Sequence, residues 1–392
     1  MAGLAKAVER LVAATTKGEK DAAIRKAVND VLETFDAADT KDAKTALTIL
    51  ESGIAAAQGR SAQVLNLALG ALVEGGAPPE LAWPAASRGL VRALDEATTF
   101  ARVCVEKSGE QLVDDAIAAV GETMVKKHPQ AAAAWASLPS RCLSAIACLT
   151  RSKKLRDSEL ASGNLGDAVY ALEDAVEEVG FLSQALRILD DTIVVLHPES
   201  GRAFRLEVAD LSSNIELYVL AMDALVGGGK IEGARPDPRA VKVLQDPENL
   251  PKKPPTVTTS FHLAPWPGLE ELWLDGSPFD LPMQGGERVV VIEDSDHAHV
   301  VTVEPSFPAL RPKVKIAGEL PKPAAAKLFK ALDADRRSAE ASLKKAAQRE
   351  AKKSASKKKK TASKKKAPAA AKKATSKKKA TSKKKATSKK KS

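Results

Sequence analysis

Aromatic side chains are scarce in this chain, at 4% of 392 residues, and from Leu343 onward there are none. A terminal stretch without aromatics has no platform on which unpaired nucleobases can stack. It also buries too little apolar surface to offset the entropy of ordering its backbone, which predicts a disordered segment. Cysteine is confined to Cys104, Cys142 and Cys148. An odd number, with no CxxC pair and no neighbouring histidine, argues against a disulfide framework or a zinc site and predicts reduced thiols packed in helices. No run approaches the roughly 18 apolar residues of a membrane span. Met1 to Ala14 carries Glu9 and lacks the apolar core of a signal peptide. These absences point to a cytoplasmic protein, with the nucleoid as one location within that compartment. No nucleophile–base pair or phosphate-binding loop stands out in residues 1–187, no catalytic residue is identified in the chain, and no cofactor is expected.

Acid is missing from the C-terminal end. The whole chain holds 61 Lys+Arg against 50 Asp+Glu, a net charge of +11. From Leu343 to Ser392 there are 23 basic residues and a single acid, Glu350, a net +22. The remaining 342 residues therefore hold 38 basic and 49 acidic residues, a net −11. An acidic body thus carries a polycationic tail, the asymmetry of an interaction tail.

The tail closes on three copies of Ala-Thr-Ser-Lys-Lys-Lys beginning at Ala374, Ala380 and Ala386, with imperfect copies over 356–366. The predicted phosphate-binding residues are Lys357, Lys358, Lys359, Lys360, Lys364, Lys365 and Lys366, then Lys372, Lys373, Lys377, Lys378 and Lys379. Lys383, Lys384, Lys385, Lys389, Lys390 and Lys391 complete the set. Lysine is a flexible point cation without base-reading geometry, so DNA or RNA would be bound through phosphates, without sequence preference and with steep salt dependence. The Lys-Ala-Pro composition around Pro368 resembles linker-histone tails. No apolar face or lipidation cysteine supports a membrane partner. Phosphorylation of the repeated Thr-Ser would lower the tail's charge stepwise.

Residues 1–187 read as an all-α domain, a helical bundle or an array of helical hairpins. Apolar stripes at three- and four-residue spacing predict helices over 41–58 (Ala43, Leu47, Leu50, Ile54), 61–74 and 85–108. Others fit 110–127, 130–150 with an interruption near Pro139, 166–179 and 180–190. No sequence motif repeats at a fixed period, which weakens a solenoid reading. Residues 188–318 change period and predict a small α+β domain with an antiparallel sheet. Thr192 to His197 and Ala203 to Val208 form a hairpin signal. Leu211, Ile215, Tyr218, Met222 and Leu225 mark a helix, with Ser213 and Glu216 at capping-box spacing. Thr256 to Leu263 and Leu272 to Leu274 are strand candidates. So are Arg288 to Glu293 and His299 to Glu304, paired around a turn at Asp294-Ser295-Asp296, and finally Lys313 to Ile316. Residues 319–353 read as a charged helical stalk with an apolar edge at Ala325, Leu328 and Leu332, and 354–392 as the tail.

Within 190–316 the motifs run in a recognisable order. They are Leu196-His197-Pro198-Glu199, the 209–227 helix beginning Ser213-Asn214, Arg235-Pro236-Asp237-Pro238, and Trp273-Leu274-Asp275-Gly276-Ser277-Pro278-Phe279-Asp280-Leu281-Pro282. Together they resemble an uncharacterised bacterial α+β domain. The resemblance implies the fold and no activity. The chain departs from it at Asp294 to His299, where a Pro-rich aromatic segment is usual.

Two groups in this domain carry candidate chemistry. Asp294, Asp296, His297 and His299 resemble a metal cluster, in which His297 and His299 would share one face of a strand and a turn carboxylate would join them. The simpler reading is ordinary turn chemistry followed by a strand end. The Trp273, Asp275 and Asp280 loop is either a ligand loop or a local turn in which Asp280 caps amides. The expected function is non-enzymatic nucleic-acid association through the tail, with the body binding a protein partner or ligand. The alternatives are a metal-dependent or hydrolytic enzyme in 190–316 and a helical protein-interaction scaffold.

Overall fold

The computed structural model describes residues 3–295 and 300–364, with the backbone alone over 350–352 and 354–364. The N-terminal part is helical throughout. Helices α1 (Leu4–Thr16), α2 (Asp21–Phe35), α3 (Thr40–Ala56) and α4 (Gly59–Glu74) lead into α5 (Pro79–Ser87) and α6 (Leu90–Ser108). Then come α7 (Val113–Lys127), α8 (Pro129–Leu149), α9 (Lys153–Ser162), α10 (Asn164–Tyr170) and α11 (Glu177–Leu186). The helix predicted over 85–108 is two helices. Gly89 has φ 69°, a left-handed conformation open to glycine, and it ends one helix before Leu90 starts the next.

Helix α8 is the hub, with α4, α5, α6, α7, α9 and α11 packed on it. It runs unbroken through Pro139, where an interruption was expected. By length and mean hydropathy it is also the one helix among the described residues apolar enough to cross a membrane, although Ser137, Ser140, Arg141 and Ser144 interrupt its apolar run. Its burial has a nearer explanation: Leu138, Cys142, Ala145, Cys148 and Leu149 sit in the core shared by these helices. All three cysteines are buried free thiols.

The second part is built on a sheet. Strands β1 (Thr192–His197) and β2 (Arg202–Ala209) form the predicted antiparallel hairpin. Helices α12 (Asn214–Leu225) and α13 (Pro238–Gln245) follow, then β3 (Thr256–Thr258) and β4 (Phe261–Pro265). Strands β5 (Met283–Gln284), β6 (Glu287–Asp294), β7 (Val300–Thr302) and β8 (Lys313–Glu319) precede the last helix, α14 (Lys322–Lys364). The strand order is β4-β6-β1-β2-β8, with β5 on β6, while β3 and β7 form a separate two-stranded sheet.

Four expectations change here. The sheet is mixed, not antiparallel, because β1 and β6 pair in parallel with Val194 opposite Val289. Residues 256–263 contain two strands in two sheets, not one strand. Leu272 to Leu274 lies in a loop. The hairpin expected around Asp294 to Asp296 does not form: β6 pairs with β1 and β4, and β7 pairs with β3. The local hairpin is instead β5–β6, turned by Gly285 (φ 62°) and Gly286 (φ 89°), which supply the two positive angles a tight turn needs.

The mixed topology follows from burial. Strand β1 is apolar on both faces, as an interior parallel strand requires. Ile193 and Val195 face a core with Leu217, Tyr218 and Leu220 of α12. Val194 and Leu196 face Ala325, Leu328, Phe329 and Leu332 of α14. The apolar edge expected of a stalk is therefore a covering layer of the sheet. The compact unit runs from Met1 to Leu332, and Asp333–Ser392 form a second unit. Helix α14 continues to Lys364, past the predicted tail boundary at 354, through Ala and Lys residues of high helix propensity.

Within the first unit the helical part and the sheet part share a core and charges. Phe307 and Leu310 pack with the helical core, and Gln184 donates to the Ser212 carbonyl at 3.1 Å. Arg156 of α9 is 3% exposed, bonds the Asp190 carboxylate at 2.5 Å and lies 3.7 Å from Asp210.

Candidate functional site

Parallel strands bring their C-terminal ends to the same edge of a sheet, and ligands gather at such edges in α/β folds. Here the two parallel strands end in chemistry-bearing residues: β1 in His197, followed by Pro198 and Glu199, and β6 in Asp294. One ligating atom each from His197, Glu199 and Asp294 lies within 4.8 Å of the others. His197 is 5% exposed, whereas both carboxylates are exposed. The Nδ1 atom of His197 is 2.8 Å from Ser200 Oγ, and its Nε2 atom is buried without a hydrogen-bond partner. The imidazole meets the Phe261 ring edge-on at 6.0 Å.

The protonation states follow from these surroundings. Burial pulls the His197 pKa below its ordinary value, and the nearby Asp294 carboxylate partly opposes this. Glu199 is pushed up by its hydrogen bond to Asp294 and by the Asp294 charge. Two neighbouring carboxylates repel each other, and a proton or a cation between them relieves the repulsion. Ligands of one tetrahedral zinc stand about 3.4 Å apart for metal–ligand distances of about 2.1 Å. Separations of at most 4.8 Å can be narrowed to this by rotating the exposed Glu199 and Asp294 side chains.

Of the metal candidates read from sequence, Asp296, His297 and His299 lie outside the described residues. The described chain instead offers His197 and Glu199. They were visible in sequence only as part of the Leu196-His197-Pro198-Glu199 motif. Their approach to Asp294 is a tertiary fact set by the β1–β6 register.

The Trp273, Asp275 and Asp280 loop has a different setting. Helix α12 starts with free backbone amides, and this loop satisfies them. Asn214 N–H donates to the Gly276 carbonyl at 2.8 Å and Ile215 N–H to the Leu274 carbonyl at 3.0 Å. The Asn214 side chain donates to the Trp273 carbonyl at 2.9 Å. Ser277, not Asp280, accepts the local amide, from Phe279. Asp280 pairs with Arg187 at 3.2 Å, and Trp273 is 73% exposed. The capping box expected at Ser213 and Glu216 is present. Glu216 is buried and accepts from the Ser212 backbone N–H (2.7 Å), the Ser213 backbone N–H (3.2 Å) and the Ser212 hydroxyl.

Of the tail lysines, Lys357, Lys358, Lys359, Lys360 and Lys364 fall on the backbone of α14, and Lys365 onward lies outside the described residues. Compared with family models, curated proteins and solved structures, the chain matches none.

Proposed function

We propose that this protein attaches to nucleic acid through its Lys-rich C-terminal segment and presents an acidic folded body to a protein or small-molecule partner. One observation carries the reading: Leu343–Ser392 holds net +22 and the rest of the chain net −11. Counterion release by lysines favours any dense row of phosphates, so the reading covers DNA and RNA without sequence preference. The cytoplasm, including the nucleoid, is the compartment that fits. Residues 190–316, with their likeness to a bacterial α+β domain, belong to the partner-binding body.

The test is duplex-DNA binding by the full chain and by a chain ending at Ser342, over a salt series. The full chain is expected to show a log–log salt slope steeper than about −5, equivalent to six or more phosphates neutralised. The shortened chain is expected to bind at least about a hundredfold more weakly at low salt. Equal binding by both removes the proposal.

A second reading is favoured by the His197, Glu199 and Asp294 cluster: a divalent cation site supporting metal-dependent chemistry at the sheet edge. It supplies two hard carboxylates and one imidazole, with open positions for water. Zinc titration of the full chain, followed by thermal melting, tests it. Stabilisation by zinc that survives in Glu199→Ala with Asp294→Ala would refute it.

A further inference from the structure

Away from the sheet, a cavity of about 520 Å³ opens between the α3–α4 turn, the start of α6 and one face of α8. The volume lies within the range of small-molecule sites. Its lining is charged against the trend of the body, with three arginines, Arg88, Arg92 and Arg141, and a single carboxylate, Glu96. Arg88 is paired with Glu51 and Arg92 with Glu96 at 3.1 Å. Arg141 has no ion pair among the described residues, and its Nε is buried with no hydrogen-bond partner. Burial, and then the charge of Arg92, pull the Arg141 guanidinium below the ordinary arginine value.

An arginine in this position is costly, since its guanidinium is partly dehydrated, its Nε has no partner, and the Glu96 charge offsets the loss only in part. Its surroundings offer more donors of the same kind. Helices α4 and α6 both begin at this cavity, at Gly59 and Leu90, and neither start has a side-chain cap. No capping side chain occupies their first-turn amides, and both helix dipoles are positive at that end. Ile54, Ala93, Ala133 and Ala134 supply apolar wall between the polar groups.

We infer that this cavity binds a small phosphate-bearing molecule, with Arg141 and Arg92 gripping the phosphate and the apolar wall holding its uncharged part. Phosphate fits better than a lone carboxylate. It offers three or more acceptor oxygens to the two guanidinium forks, and free helix-start amides are a recurrent phosphate cradle. The cavity's lining falls between Ile54 and Arg141 in the sequence, and two guanidiniums at one wall give it a selectivity that charge density alone does not.

The test is thermal melting of the full chain with inorganic pyrophosphate, at ionic strength held constant with chloride. The wild-type protein is expected to melt higher in pyrophosphate, with a saturable dependence. Arg141→Met keeps the stem's packing and removes the fork, and is expected to weaken binding about tenfold or more. Without ligand it is expected to melt at or above the wild-type temperature, because it relieves an unpaired charge. A purely structural Arg141 would instead give a lower melting point. Arg92→Gln alters a mostly exposed side chain and gives a second variant whose folding is not at issue, with weaker binding again expected. Any contribution of the tail lysines is common to all three proteins and cancels between them. Absence of a pyrophosphate-dependent rise in the wild type, or an equal rise in both variants, overturns the inference.

Discussion

Replacing Arg156 by methionine should reveal what joins the helical part to the sheet. Three groups depend on this guanidinium. The Leu149 carbonyl accepts from its Nη1 at 2.7 Å, Asp190 accepts from Nη2, and Asp210 lies 3.7 Å away. Asp190 also accepts from the Asp210 backbone N–H at 2.9 Å. Breaking a buried ion pair by removing one partner costs about 3–5 kcal/mol, because the other charge stays buried. Loss of the Leu149 bond adds about 1 kcal/mol. Asp210 is 34% exposed and keeps part of its hydration, which moves the total to the lower end, about 4 kcal/mol. Urea unfolding at pH 7 measures it.

The pH dependence gives a second reading of the same contact. Burial and the neighbouring Asp190 already raise the Asp210 pKa, and Arg156 opposes the rise. Without the arginine, the folded-state pKa of Asp210 rises further above its unfolded value. Stability is then retained at low pH and lost as pH climbs through the raised pKa. The variant's deficit should therefore be smaller at pH 4 than at pH 7. Adding Asp190→Asn should recover part of it. A loss under about 1 kcal/mol, or one independent of pH, would refute the view that these charges hold the two parts together.

Three further outcomes follow from the same structure. Burial raises Cys142 and Cys148 to about 12 and also raises Cys104; native protein at pH 8 should leave all three thiols unmodified by a thiol reagent that labels them fully in urea. His197 has a pKa lowered from 6.5 by burial, so its contribution to stability is full above about pH 6.5 and declines as pH falls. Stability measured from pH 7.5 to 5 should decline less steeply in His197→Gln than in the wild type. Glu216→Ala strips the partner from two buried amides and a hydroxyl and should cost about 3 kcal/mol in urea unfolding.

The sequence spoke clearly wherever burial is one-sided and partners are local. Leu47, Leu50 and Ile54 stand on one face of α3, and their spacing predicts that helix to within two residues at each end. The β1–β2 hairpin and the Ser213–Glu216 capping box are likewise contacts between near neighbours in the chain. Alternation reveals which face a strand buries, but not which strand lies beside it. Thus the pattern predicts β6 as a strand but neither its pairing with β1 and β4 nor the resulting parallel step. Ala325, Leu328 and Leu332 read as a narrow edge because a polar helix with few apolar residues can equally be a spacer or a lid on a small sheet face. The candidate metal cluster combines two segments brought together only by that parallel register, and the arginine cavity combines four helices. Neither leaves a local signature.

The parallel step between β1 and β6 also sets a timetable for synthesis. As the chain emerges, β1 and β2 can pair at once, but the open side of β1 must wait for residue 288 to appear. At about 5–20 residues per second that delay is on the order of ten seconds. Throughout it, an apolar strand with unpaired backbone groups is exposed to other nascent chains. The far edge of β2 waits longer still, for β8, and the covering turns of α14 come last. The helical part, finished earlier, is the surface available to shelter this unfinished sheet, and Arg156 is already in place to hold Asp190 and Asp210 at the base of the hairpin.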